Sequence, residues 1–199
     1  MEAYLHELLP RLNFGDVDTR IINHTNKQKL LREVPARLRG YARIPNEYRP
    51  LALVLVDRDD DDCLALKGRL EATATEAGLV SKSVAGEVSF DVVNRIVVEE
   101  LEAWHFGDVD ALRAEYPGIS ASLGAQAQFR DPDAIAGGTH EALLRVMQKA
   151  GHHQGMSKLP KVDTARRLAR RVGIANNRSG SFQHFLSGLG ALAGQLKNG

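Results

Sequence analysis

The run Leu51-Ala-Leu-Val-Leu-Val56 passes directly into Asp57-Arg-Asp59-Asp-Asp-Asp62, so an unbroken apolar segment ends in carboxylates. Six apolar residues without alternation suit a strand covered on both faces, and such strands belong to parallel sheets joined by helices. Open α/β sheets place their chemistry at the carboxyl ends of the strands, where these acids stand. Asp57 and Asp59, two positions apart past the strand, can share one hard divalent cation, because Mg²⁺ takes oxygen ligands and keeps several waters. A calcium loop starting at Asp57 is excluded, since Asp62 and Gly68 occupy the positions that need Gly and Glu. A phosphatase-type aspartyl nucleophile also uses Asp-x-Asp after a strand and stays open as a reading. Asp60, Asp61 and Asp62 read as the acidic start of a helix, where negative charge meets the macrodipole.

The rest of the chain fits an α/β protein. Tyr4, Leu5, Leu8, Leu9 and Leu12 have helical spacing. Asp18–His24 reads as a short strand around Ile21 and Ile22. Lys27–Arg39 reads as a helix that Pro35 should kink or break. A helix over 61–77 ends at Gly78, and Phe90–Val98, rich in valine and isoleucine, is a second buried strand running into Glu99-Glu-Leu-Glu102. Residues 117–138 are loop-like, and helical patterns return at 139–150, 162–172 and 181–193, with Ser181 as the simple N-cap of the last. Phe182, Phe185, Leu186, Leu189 and Leu192 form an apolar stripe on that helix. The expected architecture is a mainly parallel sheet flanked by helices over 1–116, followed by a loop and helical C-terminal region over 117–199 that packs on it.

Composition excludes several classes. In 199 residues, 43% hydrophobic and 26% charged, there is enough apolar content for one good core. The single cysteine, Cys63, rules out an intramolecular disulfide and a cysteine zinc cage, and fits a reducing compartment. No segment approaches the roughly 18 apolar residues of a membrane span, and no charged leader precedes an apolar core, so a cytoplasmic protein is expected. The net charge of +1 hides acids at 57–62 and 99–102 and a basic C-terminal third. In Val162–Val172 the residues Arg166, Arg167, Arg170 and Arg171 lie opposite the apolar face, with Lys161 close by, a stripe that suits a phosphate backbone. A solvated face paired with Glu and Asp explains the stripe equally well, since no aromatic residue interleaves. His105 and the adjacent His152-His153 lack partners at ligand spacing.

Asp57-Arg-Asp59-Asp-Asp-Asp-Cys63, preceded by Arg37-Leu-Arg-Gly-Tyr41 and followed by Glu100-Leu-Glu-Ala-Trp104 and Asn177-Arg-Ser-Gly-Ser-Phe182, resembles a bacterial family catalogued as domain of unknown function 4276. That family is regarded as TOPRIM-like, akin to the nuclease parts of overcoming-lysogenization-defect proteins. The resemblance covers nearly the whole chain. It implies a TOPRIM-like fold, Mg²⁺ (or Mn²⁺) as cofactor, DNA or RNA as substrate of a nuclease, and action in phage defence with an AAA- or ABC-type ATPase encoded nearby. By the same resemblance Asp57 and Asp59 bind the metal, and Glu102 of the Glu-x-Trp motif is a further carboxylate facing it, which makes these three the expected catalytic set. Trp104 reads as a packing residue. Lys27, in Asn26-Lys27 where relatives tend to have Gly-Lys, is placed to reach a phosphate. Relatives open with a strand and a Glu-Gly-x-x-Glu turn, of which Glu2 matches the final glutamate, so the first strand and general acid or base that the resemblance implies either lie upstream of Met1 or have been lost. Loss of such a base costs roughly 10²–10⁴ in rate. The alternative expectation is therefore a catalytically impaired interaction module for the ATPase, and an uncovered sheet edge points to a homodimer.

Overall fold

The computed structural model describes residues 1–86 and 88–198. Along the chain run α1 (Glu2–Leu8), α2 (Lys27–Ala42), β1 (Ala52–Asp57), α3 (Cys63–Glu76), the single turn α4 (Lys82–Ala85), β2 (Val92–Val97), α5 (Leu101–Gly107), α6 (Val109–Glu115), α7 (Thr139–Lys149), α8 (Lys161–Ala169) and α9 (Gly180–Asn198). They gather into two compact units, Met1–Asn23 with Val98–Gln183 and His24–Val97 with His184–Gly199.

The second of these units holds the sheet. β1 and β2 pair in parallel, Ala52 opposite Val92 through Asp57 opposite Val97. Among the described residues the sheet has these two strands, so the α/β class stands with a smaller sheet than the sequence suggested. α3 connects the strands and is delimited by its own sequence. Asp62 caps it by accepting a hydrogen bond from the Ala65 amide at 2.8 Å. At the other end Leu79 N donates to Ala74 O at 3.0 Å and Gly78 N to Thr75 O at 2.9 Å, with Gly78 at φ +80°. This six-to-one and five-to-two pair needs a left-handed residue, which glycine supplies without a Cβ penalty. Leu66, Leu70 and Ala74 of α3 share a core with Val34 and Leu38 of α2 and with Val54, Val56 and Val92 of the strands. α2 starts at Asn26, whose side chain accepts from Lys29 N at 2.9 Å. It runs on past Pro35, so of the expected kink or break the break does not occur. One missing backbone donor is outweighed by an apolar stripe of Leu30, Leu31, Val34, Leu38, Tyr41 and Ala42 that packs on both sides of the proline.

The other unit is helical. Its core joins Phe106, Leu112 and Tyr116 to Leu123, Phe129 and Ile135 of the 117–138 segment and to Leu143, Met147 and Leu168 of the later helices. The 117–138 stretch, expected as a loop, is a chain of short 3₁₀ turns at Leu123–Ala125, Ala127–Phe129 and Pro132–Ala134. Arg11 explains why the N-terminus joins this unit. Its guanidinium donates to the Ala169 carbonyl and, at 2.8 Å, to the Val172 carbonyl, capping the end of α8. α1 thus belongs to the same compact unit as α5, α6, α7 and α8 and not to the sheet-bearing one. Nor does Asp18–His24 form a strand: β-branched residues alone do not make one without a neighbouring strand to complete the ladder.

Candidate functional site

The motifs that single out this chain divide into residues that build and residues that could act. Trp104 is fully buried, with ring centroids 5.7 Å from Tyr4 and 5.2 Å from Phe182. Its Nε1 donates to Ser181 Oγ at 2.8 Å, and its carbonyl accepts from Asn177 Nδ2 at 2.7 Å. Asn177 Oδ1 in turn accepts from the Ser179 amide. At Gly107 a Cβ would lie 1.9 Å from that Asn177 oxygen, so only glycine fits. Ser179 is the N-cap of α9, because its Oγ accepts from Phe182 N at 3.1 Å. Ser181, expected as the cap, lies inside the first turn and donates its hydroxyl to Asp133 at 3.0 Å. The Glu-x-Trp and Ser-Phe motifs thus meet as one hydrogen-bonded scaffold.

Past β1 the acids are exposed, as a strand tip requires. Asp59 adopts a left-handed φ of +48°, which Asp tolerates better than most residues. Lys27, its side chain 16% exposed, reaches this turn from the first turn of α2. Its Nζ lies 2.7 Å from Asp59 Oδ2, 2.9 Å from Asp61 Oδ2 and 2.8 Å from the Arg58 carbonyl oxygen. Burial opposes the ammonium, but the hydrogen bonds to Asp59 and Asp61 outweigh it and raise the Lys27 pKa above the ordinary lysine value. Three oxygens thus surround one cationic nitrogen. Asp62 serves the helix as its cap. Asp57 ends the strand in exposed position, paired in register with Val97.

Glu102 belongs to the other unit and has different surroundings. It is 4% exposed, and burial raises its pKa despite the attraction of Lys161. Two residues before it, Glu100 is a hub. Its Oε2 accepts from Thr139 Oγ1 at 2.9 Å and from the His140 amide at 3.2 Å, and lies 2.9 Å from His140 Nδ1. Its Oε1 is 3.0 Å from Lys161 Nζ. Burial alone would raise the Glu100 pKa, but the bonds from His140, Lys161 and Thr139 prevail and lower it to about 2. His140 Nε2 lies 2.8 Å from Glu141 Oε1. One ligand atom each from Glu100, His140 and Glu141 falls within 4.8 Å of the others, a group able to hold a metal. Sequence reasoning reached Glu102 but not this group, because Glu100 and His140 are 40 positions apart. The weak signal available was Thr139-His140-Glu141 directly after Gly137-Gly138.

The arginine stripe of α8 is engaged with carboxylates. Arg170 forks onto Glu7 at 2.9 and 2.8 Å, and Arg166 lies 3.8 Å from the same residue. Arg167 binds Asp163 at 2.8 Å and Glu115 at 3.1 Å, while Arg171 Nε is 2.5 Å from Glu115. His105 is fully enclosed, its pKa pushed down to about 3 chiefly by burial. His152 sets its Nε2 2.7 Å from the Pro117 carbonyl oxygen.

Fold and site together define a small α/β protein whose parallel strand pair runs into an acidic turn and whose Glu-x-Trp motif is locked in a helical core. The family model described as Domain of unknown function (DUF4276) matches residues 1–190, and the chain belongs to that family. No curated protein and no solved structure matches it. No helix among the described residues is long and apolar enough to cross a membrane.

Proposed function

We propose that this chain is a TOPRIM-like component that binds Mg²⁺ or Mn²⁺ through the Asp57–Asp59 turn and acts on nucleic acid as a nuclease, together with an ATPase in bacterial defence. The observation that carries the metal part is the convergence of Asp59 Oδ2, Asp61 Oδ2 and the Arg58 carbonyl on one ammonium at 2.7–2.9 Å past a parallel strand. Oxygen donors of this kind are what a hard cation takes. The metal would displace Lys27, whose freed ammonium could then meet a phosphate. Substrate, ATPase and defence role rest on the resemblance to the TOPRIM-like nucleases.

A second reading has its own support. Lys27 already neutralises Asp59 and Asp61, and Arg166, Arg167, Arg170 and Arg171 are all held by carboxylates. That arrangement suits an interaction module that no longer cleaves. Two measurements separate them: Mn²⁺ binding by electron paramagnetic resonance, and Mg²⁺- or Mn²⁺-dependent cleavage of plasmid, single-stranded DNA and RNA. The nuclease reading expects weak Mn²⁺ binding that an Asp57→Asn, Asp59→Asn double variant loses, and cleavage lost with it. An equal number of bound Mn²⁺ ions in both proteins overturns the metal site. Binding without cleavage moves the assignment to the interaction module.

A further inference from the structure

The entry to α5 and the first turn of α7 bring together a set of side chains that the acidic turn after β1 does not use. Glu100 is the residue before α5 and follows Glu99, which has a φ of +63°. His140 and Glu141 belong to the first turn of α7, which begins after Gly138 at φ +86°. Gly138 is needed there on two counts: its backbone is left-handed, and a Cβ would lie 2.1 Å from Glu141 Oε2. Glu141 therefore folds back over the turn toward His140 while staying half-exposed. Glu100 is held from the other side by Thr139 Oγ1 and Lys161 Nζ, which fix the orientation of its carboxylate.

A second observation points to an ion. Glu102 is 96% buried, taking its 4% exposure as remainder, and among the described residues its carboxylate accepts from no side chain, relying on its own backbone. The charges it faces are Lys161, Glu100 and His140. Three carboxylates, at Glu100, Glu102 and Glu141, thus share one region with one lysine and one histidine. A buried carboxylate held only by its own backbone is costly, and three carboxylates against one lysine and one histidine leave room for a cation.

We propose that Glu100, His140 and Glu141 form a binding site for a divalent transition-metal ion, Zn²⁺ or Mn²⁺, with Glu102 as a buried carboxylate whose charge the ion compensates. One imidazole with carboxylate oxygens is a donor set for Zn²⁺ or Mn²⁺ rather than for Ca²⁺ or Mg²⁺, which take oxygen alone. Ligand atoms within 4.8 Å of one another need a small closure to meet metal bonds of about 2.0–2.2 Å, and water completes the shell. Thr139 and Lys161 then act on Glu100 as orienting partners, a role that typically changes metal affinity by about 10–100-fold when removed. This site does not depend on Asp57 or Asp59.

The test is calorimetric titration of chelator-treated full-length protein with Zn²⁺, Mn²⁺ and Mg²⁺ separately, with circular dichroism melting of each variant. Wild type and the Asp57→Asn, Asp59→Asn variant are expected to share one tight equivalent of Zn²⁺ or Mn²⁺, at least tenfold tighter than Mg²⁺, and to melt higher with the ion, while the wild type alone adds the weaker ion of the acidic turn. His140→Ala should lose at least tenfold in affinity. Glu141→Gln, half-exposed and so expected to fold, should do the same and covers the case in which His140→Ala fails to fold. Absence of Zn²⁺ and Mn²⁺ binding in the wild type overturns the proposal. So does unchanged binding in Glu141→Gln, and so does a preference for Mg²⁺. Loss of binding in the Asp57→Asn, Asp59→Asn variant alone would assign the ion to the acidic turn and likewise overturn this site.

Discussion

Two groups of acids in this molecule are held by a lysine, and they differ in how much the solvent shares the load. Asp59 and Asp61 are half-exposed and meet Lys27 at the tip of a strand. Glu100 is one-third exposed, Glu102 is enclosed, and they meet Lys161 and His140 beside a helical core. At the strand tip water screens the two half-exposed acids, so they cost little and their pairing with Lys27 adds little. In the helical unit burial acts on both acids, and hydrogen bonds from His140, Lys161 and Thr139 take Glu100 downward while burial takes Glu102 upward. Burial, not residue type, separates an acid that decorates a turn from one that constrains its surroundings.

The largest effect should come from the scaffold that carries the second group. Trp104→Ala removes a fully buried indole and the donor to Ser181, and should cost about 3–5 kcal/mol in chemical denaturation. If Trp104→Ala melts with the wild type, the Glu-x-Trp motif is not the strut described here. Gly107→Ala drives a methyl into Asn177 and the Ser179 amide and should cost about 1–3 kcal/mol or more.

Next come the two glutamates, measured as stability against pH in metal-free protein. Glu100 has its pKa lowered to about 2, so its contribution is complete above the ordinary glutamate value and is lost as the pH falls from about 4.5 toward 2. Allowing for its partial exposure, Glu100→Gln should cost about 1 kcal/mol at pH 7 and flatten that acid limb. Glu102 has the opposite sign. Its raised pKa means the folded protein favours the protonated form, so stability falls as the pH climbs above the ordinary glutamate value. Glu102→Gln should therefore be more stable than wild type at pH 7. A destabilised Glu102→Gln would mean that the attraction of Lys161 outweighs burial and satisfies the carboxylate without a metal.

Much of the sheet-bearing unit was legible because its signals are local. The apolar run before Asp57 gave β1, the Val-Ile segment gave β2, and Asp62 and Gly78 marked both ends of α3. Asp18–His24 misled because β-propensity says nothing about whether a partner strand exists. Pro35 does not break α2, because burial on its two sides, invisible in a helical repeat, holds the helix together. The Glu100 group was unreadable for a different reason. Its hydrogen bonds span 39, 40 and 61 positions, and no spacing rule connects such residues. Ser181 looked like a cap by residue type, whereas the cap is decided by which hydroxyl meets the Phe182 amide.

Smaller effects test the strand tip. Asp62→Ala removes the cap of α3 and should cost about 1 kcal/mol, whereas Lys27→Met should cost about 0–1 kcal/mol because both its acid partners are half-exposed. The charged Lys27 contributes below the ordinary lysine pKa, and that contribution fades as the pH rises through its raised value. A Lys27→Met loss larger than that of Asp62→Ala would show the strand tip to be as constrained as the Glu100 group, and would erase the contrast.

The smallest effect is expected at the arginine stripe of α8, where competition rather than stability is read. Arg167 and Arg171 share Glu115, so a phosphate must displace that carboxylate before either arginine can bind it. Glu115→Gln frees Arg171 and leaves Arg167 with Asp163 alone, and if the stripe contacts nucleic acid the slope of log affinity against log salt should steepen by roughly 0.7–0.9 for each new phosphate contact. An Arg167→Ala, Arg171→Ala variant should not gain from the same change at Glu115. A slope for single-stranded DNA that is equal in wild type, Glu115→Gln and the double arginine variant, with melting unchanged, assigns the stripe to ion pairs that hold α8 against Glu7 and Glu115. Nucleic-acid contact would then have to be sought elsewhere in the chain.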